Sequence, residues 1–306
     1  MIREALAEIR AARRKTSFDY TDKIIVVTGG AGGIGSAFAR RAASWGATLV
    51  IVDLDEIRAK ALVSDLPPAT PGHLSIRADL TDQQQIDAVM TRIRQHCGRI
   101  DVLVNNTGMT STERFADRSL ESMEREILVN TLSPLYVTRL ALPLLRLAAD
   151  PRVISTVSLA GIFPQPETPL YCASKFALRG AMLSIAMDLR DEGIAVSSVL
   201  PSATDTRMLH REAITGGNLL QFQDPPQTPE VVAATMMRLL DRPRLEAYPK
   251  PRESYLVRAV MAFPNVLFVL VPFFEGKGVK GHQAYLRELI QRGAVVDVDG
   301  RLELAG

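Results

Sequence analysis

Cysteine, histidine and tryptophan are all scarce in this 306-residue sequence. The two cysteines, Cys97 and Cys172, form no close pair, and the four histidines add no metal-type spacing to them. We therefore predict neither a disulfide framework nor a metal site. Thiols without a disulfide pattern are typical of a reducing compartment, which predicts a cytoplasmic protein.

An excess of charge of one sign is also missing. The sequence has 36 basic and 34 acidic residues, a formal net charge of +2. Proteins that bind nucleic acid usually present a strongly basic face, so we expect no nucleic-acid partner. The hydrophobic fraction of 47% and the charged fraction of 23% are ordinary for a soluble globular protein.

No apolar run is long enough to predict a membrane span. Residues 259–274 form an uncharged segment of sixteen residues that contains Pro264 and Pro272, whereas a spanning helix needs about 20 apolar residues. We expect this segment to be a lid or a subunit interface. Because Arg252 and Lys277 flank it, peripheral contact with an anionic membrane surface stays open as an alternative, and with it a membrane-associated location.

Residues 1–22 have no apolar core of the kind found in secretory signals. Ile2, Leu6 and Ile9 fall at helical spacing among charged residues, which predicts a short amphipathic N-terminal helix. We expect it to pack on the protein body or on a partner subunit, with anchoring to a membrane surface as the alternative.

From residue 23 to residue 200, short apolar runs alternate with longer amphipathic ones. The predicted strands are 24–28, 48–52, 74–78, 101–104, 153–157 and 195–199. The predicted helices are 34–45, 55–65, 82–97, 120–148 and 171–192. This alternation indicates βαβ units, and continuous apolar strands indicate a sheet buried on both faces. The predicted fold is α/β, a Rossmann-type doubly wound parallel sheet flanked by helices.

The predicted sheet forms a single domain over residues 23–245, with a C-terminal extension over residues 246–306. Residues 204–227 are polar, weakly patterned and rich in turn residues, so we predict a long loop there. Ligands of parallel sheets lie beyond the carboxyl ends of the strands, which puts this loop near a binding site.

A glycine-rich turn, residues 28–35, follows the first predicted strand and opens a helix. Gly29, Gly33, Ile34 and Gly35 lie where the backbone would approach a pyrophosphate group at a helix N-terminus. Asp53 ends the next strand, at the position where a carboxylate accepts hydrogen bonds from ribose hydroxyls and repels a 2′-phosphate. This combination predicts NAD as the cofactor in preference to NADP.

Five motifs follow one another in order on this pattern. They are the glycine-rich turn, Asn105-Asn106-Thr107-Gly108, Asn130, Ser158 and Tyr171-Cys172-Ala173-Ser174-Lys175. In this order, over residues 23–240, the sequence resembles the classical short-chain dehydrogenase/reductase family. The resemblance implies an enzyme that acts on CH–OH groups, and a homodimer or homotetramer built on the two longest helices.

The resemblance assigns the catalytic roles to four residues. Tyr171 would be the acid or base, since a nearby ammonium and an oxidised nicotinamide both favour the phenolate over a phenol whose ordinary pKa is about 10. Lys175, four residues on and on the same helix face, would bind the nicotinamide ribose. Ser158 would hydrogen-bond the substrate oxygen, and Asn130 would hold a water molecule that relays protons.

The resemblance also assigns the remaining cofactor contacts. They are Asp79 and Leu80 at the adenine, Asn106 and Gly108 on the adenosine side, and Pro201 and Thr206 near the nicotinamide. Ser202 stands where the family has glycine.

Apolar residues in the 204–227 segment, such as Met208, Leu209 and Phe222, predict a lipophilic secondary alcohol or ketone as the substrate. A 3-oxoacyl-thioester reductase is an alternative, although such enzymes usually prefer NADPH and Asp53 disfavours that cofactor. A non-catalytic NAD-binding protein is a second alternative, disfavoured because Tyr171 and Lys175 are both present.

Overall fold

A seven-stranded parallel sheet organises the protein, whose structure is a computed structural model that describes residues 17–216 and 218–305. The strands are β1 (Ile24–Thr28), β2 (Thr48–Asp53), β3 (Leu74–Arg77), β4 (Val102–Asn105), β5 (Arg152–Thr156), β6 (Ala195–Val199) and β7 (Glu246–Ala247). Their order is β3-β2-β1-β4-β5-β6-β7. Because β1 pairs with both β2 and β4, the order reverses beside β1, and a crevice opens there at the carboxyl ends of the strands.

Helices cover both faces of this sheet. They are α1 (Gly33–Ser44), α2 (Glu56–Ser64), α3 (Gln83–Cys97), α4 (Leu120–Ile127), α5 (Ser133–Leu145), α6 (Pro169–Asp188), α7 (Arg207–Thr215), α8 (Pro229–Asp241), α9 (Pro251–Met261) and α10 (Leu267–Gln291). A π-helical turn, Leu128–Leu132, joins α4 to α5. The predicted Rossmann-type sheet is confirmed, and the predicted strands and helices in this region match the observed ones to within four residues.

Alternation along β1 shows how the sequence builds two cores. Ile24 and Val26 point into the layer formed with α3, α5 and α6, whereas Ile25 and Val27 point into the layer formed with α1 and α8. All four side chains are buried. Successive strand residues face opposite sides of a sheet, so a strand covered on both faces must be apolar throughout.

The N-terminal boundary differs from the prediction. The amphipathic helix predicted around Ile2 and Ile9 lies outside the described residues. Residues 17–22, which we assigned to the same helical segment, are instead extended and end in a turn. Phe18 and Tyr20 are buried in the layer that contains α1, and the Tyr20 ring packs edge-on against Trp45 at 4.9 Å between centroids. Burial of two aromatic rings fixes this stretch without helical hydrogen bonds.

The predicted loop at residues 204–227 is wrong, because the segment contains helix α7 and a 3-10 turn, Leu219–Phe222. The Thr206 hydroxyl accepts a hydrogen bond from Leu209 N and caps α7 at its start, and Gly216 ends it with φ +82°. Leu209 and Ala213 then bury one face of the helix. The short length of the helix, two and a half turns, concealed this pattern among polar residues.

The C-terminal segment, residues 246–306, contributes to the sheet as well as extending beyond it. β7 lies in this segment and pairs with β6, so the predicted boundary at residue 245 is one strand too early. Beyond β7, α9 and α10 are followed by an antiparallel hairpin, β8 (Val295–Val298) and β9 (Arg301–Leu304). A third apolar cluster, which includes Leu209, Phe222 and Tyr285, fastens α10 to α7 and the 3-10 turn.

Two helical segments of the described chain are, by length and composition, long and apolar enough to cross a membrane. One is Leu120–Leu145, whose apolar 18-residue stretch is 56% buried within the fold, as expected for a core helix. The other is a pair, Pro251–Met261 with Pro264–Pro272, bent by 105° at the break between its two parts.

Candidate active site

Glycines in the turn after β1 allow chain segments to approach more closely than any side chain would permit. Gly29 has φ +59°, and a β-carbon there would lie 2.9 Å from the Thr107 Cα. A β-carbon on Gly35 would lie 2.6 Å from the Gly29 carbonyl oxygen, and one on Gly33 would lie 2.8 Å from the Thr206 Cγ2. Gly32, the residue before α1, offers no side-chain cap, so the first N–H groups of α1 face the groove as an anion-binding helix terminus.

Asn106 ties this turn to the ends of two further strands. Its amide Nδ2 donates to the Gly29 carbonyl at 3.0 Å, and its Oδ1 accepts from the Thr156 hydroxyl at 3.1 Å. The Thr28 hydroxyl accepts from the Asn106 backbone N–H at 3.0 Å. The floor of the crevice is therefore held by three side chains at the carboxyl ends of β1, β4 and β5.

Asp53 closes one end of the crevice. Its Oδ2 accepts from Ala31 N at 2.9 Å and its Oδ1 from Asp55 N at 3.0 Å, so the carboxylate is fixed beside the glycine-rich turn. Farther along, the Asp79 carboxylate accepts from the hydroxyl and the N–H of Thr81, and the hydroxyl bond in particular holds the Asp79 pKa below its ordinary value. Both acids are therefore placed as hydrogen-bond acceptors.

A groove of about 470 Å³ runs from these acids to the start of α6. Eleven of the residues predicted to contact a cofactor line it: Gly29, Gly33, Ile34, Asp53, Asp79, Leu80, Asn106, Gly108, Tyr171, Lys175 and Thr206. Two predicted residues do not. Gly35 lies beneath the glycine-rich turn, where its role is the close approach described above, and Pro201 lines the neighbouring cavity.

Ser158 and Tyr171 meet beyond the carboxyl end of β5. Ser158 Oγ donates to the Pro201 carbonyl at 3.5 Å and accepts from Ala160 N at 3.1 Å, and its hydroxyl is close enough to Tyr171 to affect the pKa of that residue. Leu159 N donates to the Pro201 carbonyl at 2.8 Å, which fastens this turn to the end of β6. The predicted pair is thus brought together by the ends of two neighbouring strands and the first turn of α6.

Lys175 lies one helical turn after Tyr171, and only 3% of its surface is exposed. Its Nζ donates to the Thr156 carbonyl at 3.2 Å and lies 5.6 Å from the centre of the Tyr171 ring. Burial disfavours the ammonium form, and it lowers the pKa of Lys175 to about 8. Glu126 opposes this shift through its negative charge.

The effect predicted for Lys175 and an oxidised nicotinamide on the Tyr171 pKa stays a prediction. Burial raises the pKa of Tyr171 above its ordinary value, and the negative charge of Glu212 raises it further. The hydrogen bond from Ser158 acts in the opposite direction. Burial is the largest cause of this rise, because desolvation disfavours the charged phenolate.

Asn130 lies in the π-helical turn, with its side chain fully buried. Its Oδ1 accepts from Met109 N and its Nδ2 donates to the Met109 carbonyl, both at 2.8 Å, while Nδ2 also donates to Ser174 Oγ at 3.1 Å. Asn130 thereby joins the loop after β4 to the helix that carries Tyr171. The water-relay role implied by the resemblance stays a prediction.

The structure also describes the Cys172 thiol and the side chains that could bind a metal ion. Cys172 is buried, its Sγ accepts from Gln165 N at 3.2 Å, and burial raises its pKa, so it packs as an unreactive thiol. Within residues 17–216 and 218–305, no group of three or more metal-binding side chains comes together.

A second cavity, of about 400 Å³, opens on the other side of Tyr171. Its polar lining residues include Ser158, Tyr171, Glu212 and Gln221. Its apolar wall is formed by Leu256, Val257, Val260, Leu267, Leu270, Val271 and Phe274, all from α9 and α10.

Sequence reasoning missed Glu212 and Gln221, and it did not identify which residues of α9 and α10 face the cavity. One signal was available. Leu209, Glu212 and Ala213 fall at the i, i+3, i+4 spacing of one helix face, and Glu212 is the charged residue on that apolar face.

The fold and this arrangement of tyrosine, serine and lysine together define an oxidoreductase of the short-chain dehydrogenase class. Comparison with known proteins agrees, since the model of the short chain dehydrogenase family matches residues 23–215. The chain belongs to the short-chain dehydrogenase/reductase family.

Relatives with assigned names are similar over most of the matched domain. The chain is 33% identical over 185 residues to a galactitol 2-dehydrogenase of Agrobacterium fabrum, covering 60% of this chain and 71% of that one. It is 32% identical over 184 residues to a 2,5-dichloro-2,5-cyclohexadiene-1,4-diol dehydrogenase of Sphingobium indicum, covering 60% and 74%. A short-chain dehydrogenase/reductase of Burkholderia phymatum, solved in complex with NAD, shares the fold with a TM-score of 0.71 at 24% identity, covering 79% of this chain and 93% of that one.

Proposed function

We propose that the protein is an NAD-dependent dehydrogenase or reductase that interconverts a lipophilic secondary alcohol and the corresponding ketone. The observation that carries this proposal is the position of Tyr171, which lines both the groove that contains Asp53 and the apolar cavity closed by α9 and α10. A substrate carbon in the cavity and a nicotinamide in the groove would therefore meet at this one hydroxyl group.

The groove fits a dinucleotide on the evidence of its own side chains. Gly29, Gly32, Gly33 and Ile34 line the groove beside the first N–H groups of α1, where a phosphate would be bound by the helix terminus. The Ser133 hydroxyl lines the groove and has no hydrogen-bond partner among the described residues, as expected for a group that binds a ligand. Gly29, Gly33 and Ile34 would hold the pyrophosphate, Asp53 the adenosine ribose, and Lys175 the nicotinamide ribose.

NAD, when bound, supplies the hydride acceptor. Ser158 donates a hydrogen bond to the substrate oxygen, and Tyr171 takes its proton during oxidation or returns it during reduction. Lys175 is the cation positioned to stabilise the Tyr171 phenolate that forms. Asn130 fixes the loop after β4 through its hydrogen bond with Met109.

NAD is preferred to NADP in this proposal because of the fixed carboxylate of Asp53. Two backbone N–H groups hold it beside the glycine-rich turn, so it cannot swing away from a 2′-phosphate. Arg58 also lines this end of the groove and would attract such a phosphate once the carboxylate is removed. We expect Asp53→Ser to lose NAD affinity and gain NADP affinity, and Asp53→Ser with Arg58→Ala to lose both.

The proposed function is tested by nicotinamide absorbance with purified protein, NAD or NADP, and a panel of bulky and small secondary alcohols. We expect NADH formation with the bulky alcohols, abolished in Tyr171→Phe although dinucleotide binding is retained. Tyr255→Phe, which removes a hydroxyl from the exposed side of α9, is the matched control and should keep wild-type activity. Dinucleotide binding without turnover of any alcohol, acyl thioester or ketone would refute the proposal and favour a binding protein on the same fold.

We propose a homodimer or homotetramer built on the α4–α5 and α6 helices. Tyr136 on α5 and Phe176 and Met187 on α6 are exposed apolar side chains on these helices. Burying them against a symmetric copy would remove apolar surface from water. Sedimentation of wild type and of Phe176→Glu tests this assignment, and a monomeric wild type would refute it.

We also propose that the cytoplasmic enzyme contacts a membrane surface through the outer side of α9 and α10. Phe263, Phe268 and Val269 are exposed there, Phe268 by 87%, and Arg252 and Lys280 are exposed on the same two helices. Binding to anionic vesicles should fall in Phe268→Asp and not in Leu147→Asp, an equally drastic change at an exposed position on another surface. Equal binding of neutral and anionic vesicles by all three proteins would refute the proposal.

A further inference from the structure

A carboxyl group on α7 faces the substrate cavity from a buried position. Glu212 is only 8% exposed, and it lines the same cavity as Tyr171 and Ser158. Its Oε2 accepts a hydrogen bond from the Gln221 side-chain amide at 2.7 Å. This acid belongs to no motif of the family resemblance, and the proposed reaction gives it no role.

The surroundings of Glu212 leave its hydrogen-bonding capacity largely unused. A carboxyl group offers about four acceptor sites, and Gln221 occupies one. Among the described residues, no lysine or arginine forms an ion pair with it. Burial raises its pKa to about 7, so both protonation states are present near neutral pH. Burying such a group without compensation is unfavourable, which suggests that a ligand completes its contacts.

Another carboxyl group in the same cavity forms an ion pair with a lysine. Glu253 on α9 also lines the cavity, but its Oε1 lies 3.2 Å from the Lys250 Nζ, in an exposed-edge ion pair. Lys250 donates in addition to the Pro225 carbonyl at 3.2 Å. Glu253 is therefore paired with a cation, whereas the partner of Glu212 among the described residues is a neutral amide.

We infer that Glu212 determines substrate specificity: with Gln221 it forms a polar subsite that binds a hydroxyl group of an otherwise apolar substrate, at a point separate from the carbon that reacts at Tyr171. A hydroxyl group fits either protonation state, because it donates to a carboxylate and accepts from a carboxylic acid. Apart from Glu253, the side chains of α9 and α10 that line the cavity are apolar and would contact the hydrocarbon body. This inference rests on the proposed function, because it names the class of substrate for the same cavity.

The test compares ketones that differ by one hydroxyl group. The ligands are 4-cyclohexylcyclohexanone and its counterparts with a hydroxyl at position 3 or 4 of the distal ring. Affinity is measured by calorimetry on the protein saturated with dinucleotide, and kcat and KM are measured by NADH oxidation. We expect wild type to prefer one hydroxylated ketone by about 10- to 100-fold, the range for a hydrogen bond to a buried carboxyl group.

The variants are Glu212→Leu, Glu212→Gln and the control Glu253→Gln. Glu212→Leu should abolish the preference, mainly through KM, and should bind the plain ketone at least as well as wild type. Glu212→Gln should retain part of the preference, since its amide still bonds a hydroxyl group. Glu253→Gln should leave the preference unchanged.

A preference of less than about threefold in wild type, or one that survives in Glu212→Leu, would overturn the inference. Either result can occur while ketone reduction proceeds, so it would leave the proposed function standing. Failure of all reduction would instead refute the proposed function, and the calorimetric preference would still decide the role of Glu212. Unchanged dinucleotide affinity and unfolding midpoint in Glu212→Leu separate loss of the subsite from damage to α7.

Discussion

Two glycines on α10 give the sharpest test of how the cavity wall is held in place. α10 packs against the 3-10 turn of residues 219–222, and a β-carbon on Gly281 would overlap the Phe222 carbonyl oxygen. The obstacle is backbone, so Gly281→Ala must push α10 away from the turn. Overpacking of this kind costs about 1–3 kcal/mol, here near the upper end, and alanine's higher helix propensity returns about 1 kcal/mol. We expect a net loss of about 2 kcal/mol.

Gly276 supplies the matched control on the same helix. A β-carbon there would meet nothing within 4 Å, so Gly276→Ala should gain about 1 kcal/mol from helix propensity alone. The assay is amide hydrogen exchange of α10 together with urea unfolding, because α10 can open without unfolding the sheet. Gly281→Ala should exchange faster across α10 and raise KM for the substrate, with dinucleotide affinity unchanged. Equal protection of the two variants would refute the packing argument.

Three further predictions concern buried charge. Lys175→Met should abolish activity yet stabilise the fold at pH 7 by up to about 3 kcal/mol, because the folded pKa of about 8 lies below the ordinary 10.5. That gain must shrink as pH rises from 8 towards 10.5 in urea titrations, since the wild-type lysine then loses its proton; a gain independent of pH would contradict it. Glu126→Gln should lose about 3–5 kcal/mol, because it leaves the fully buried Arg118 without its 2.5 Å partner, and adding Arg118→Met should recover most of this loss in a double-mutant cycle. Asp205→Asn removes the ion pair with Arg292, at 2.9 Å, and we expect it to raise KM for the substrate several-fold while the Kd for NAD stays constant. A changed Kd for NAD with an unchanged KM for the substrate would contradict this prediction.

The parts of the structure that could be predicted from the sequence are those with local chemical causes. The runs at β1 and β2 are apolar because both faces are covered, and the strand ends then bring Ser158, Tyr171 and Lys175 together. Eleven of the thirteen predicted cofactor contacts lie along one groove for the same reason: strand order fixes where the turns meet. Motif order and strand register are enough to place these side chains.

The substrate side could not be predicted in the same way, because long-range packing determines it. Glu212 reaches the cavity only because Thr206 and Gly216 bound a short helix, which polar composition disguised as a loop. The direction of the Tyr171 pKa depends on burial and on Glu212, neither of which is visible in the spacing of Tyr171 and Lys175. The cavity wall likewise depends on α10 packing against a turn about sixty residues earlier in the chain.

The order of the elements along the chain has a consequence for biosynthesis. Translation releases the glycine-rich turn, Ser158, Tyr171 and Lys175 well before residues 251–291, which make α9 and α10. At about 5–20 residues per second, the wall of the cavity follows the catalytic groups by several seconds. During that interval a nascent chain has its hydride-transfer groups but no closed pocket, and it exposes the apolar floor of the cavity to the ribosome exit site. The nascent chain thus exposes apolar surface at the same stage at which it cannot yet select a substrate.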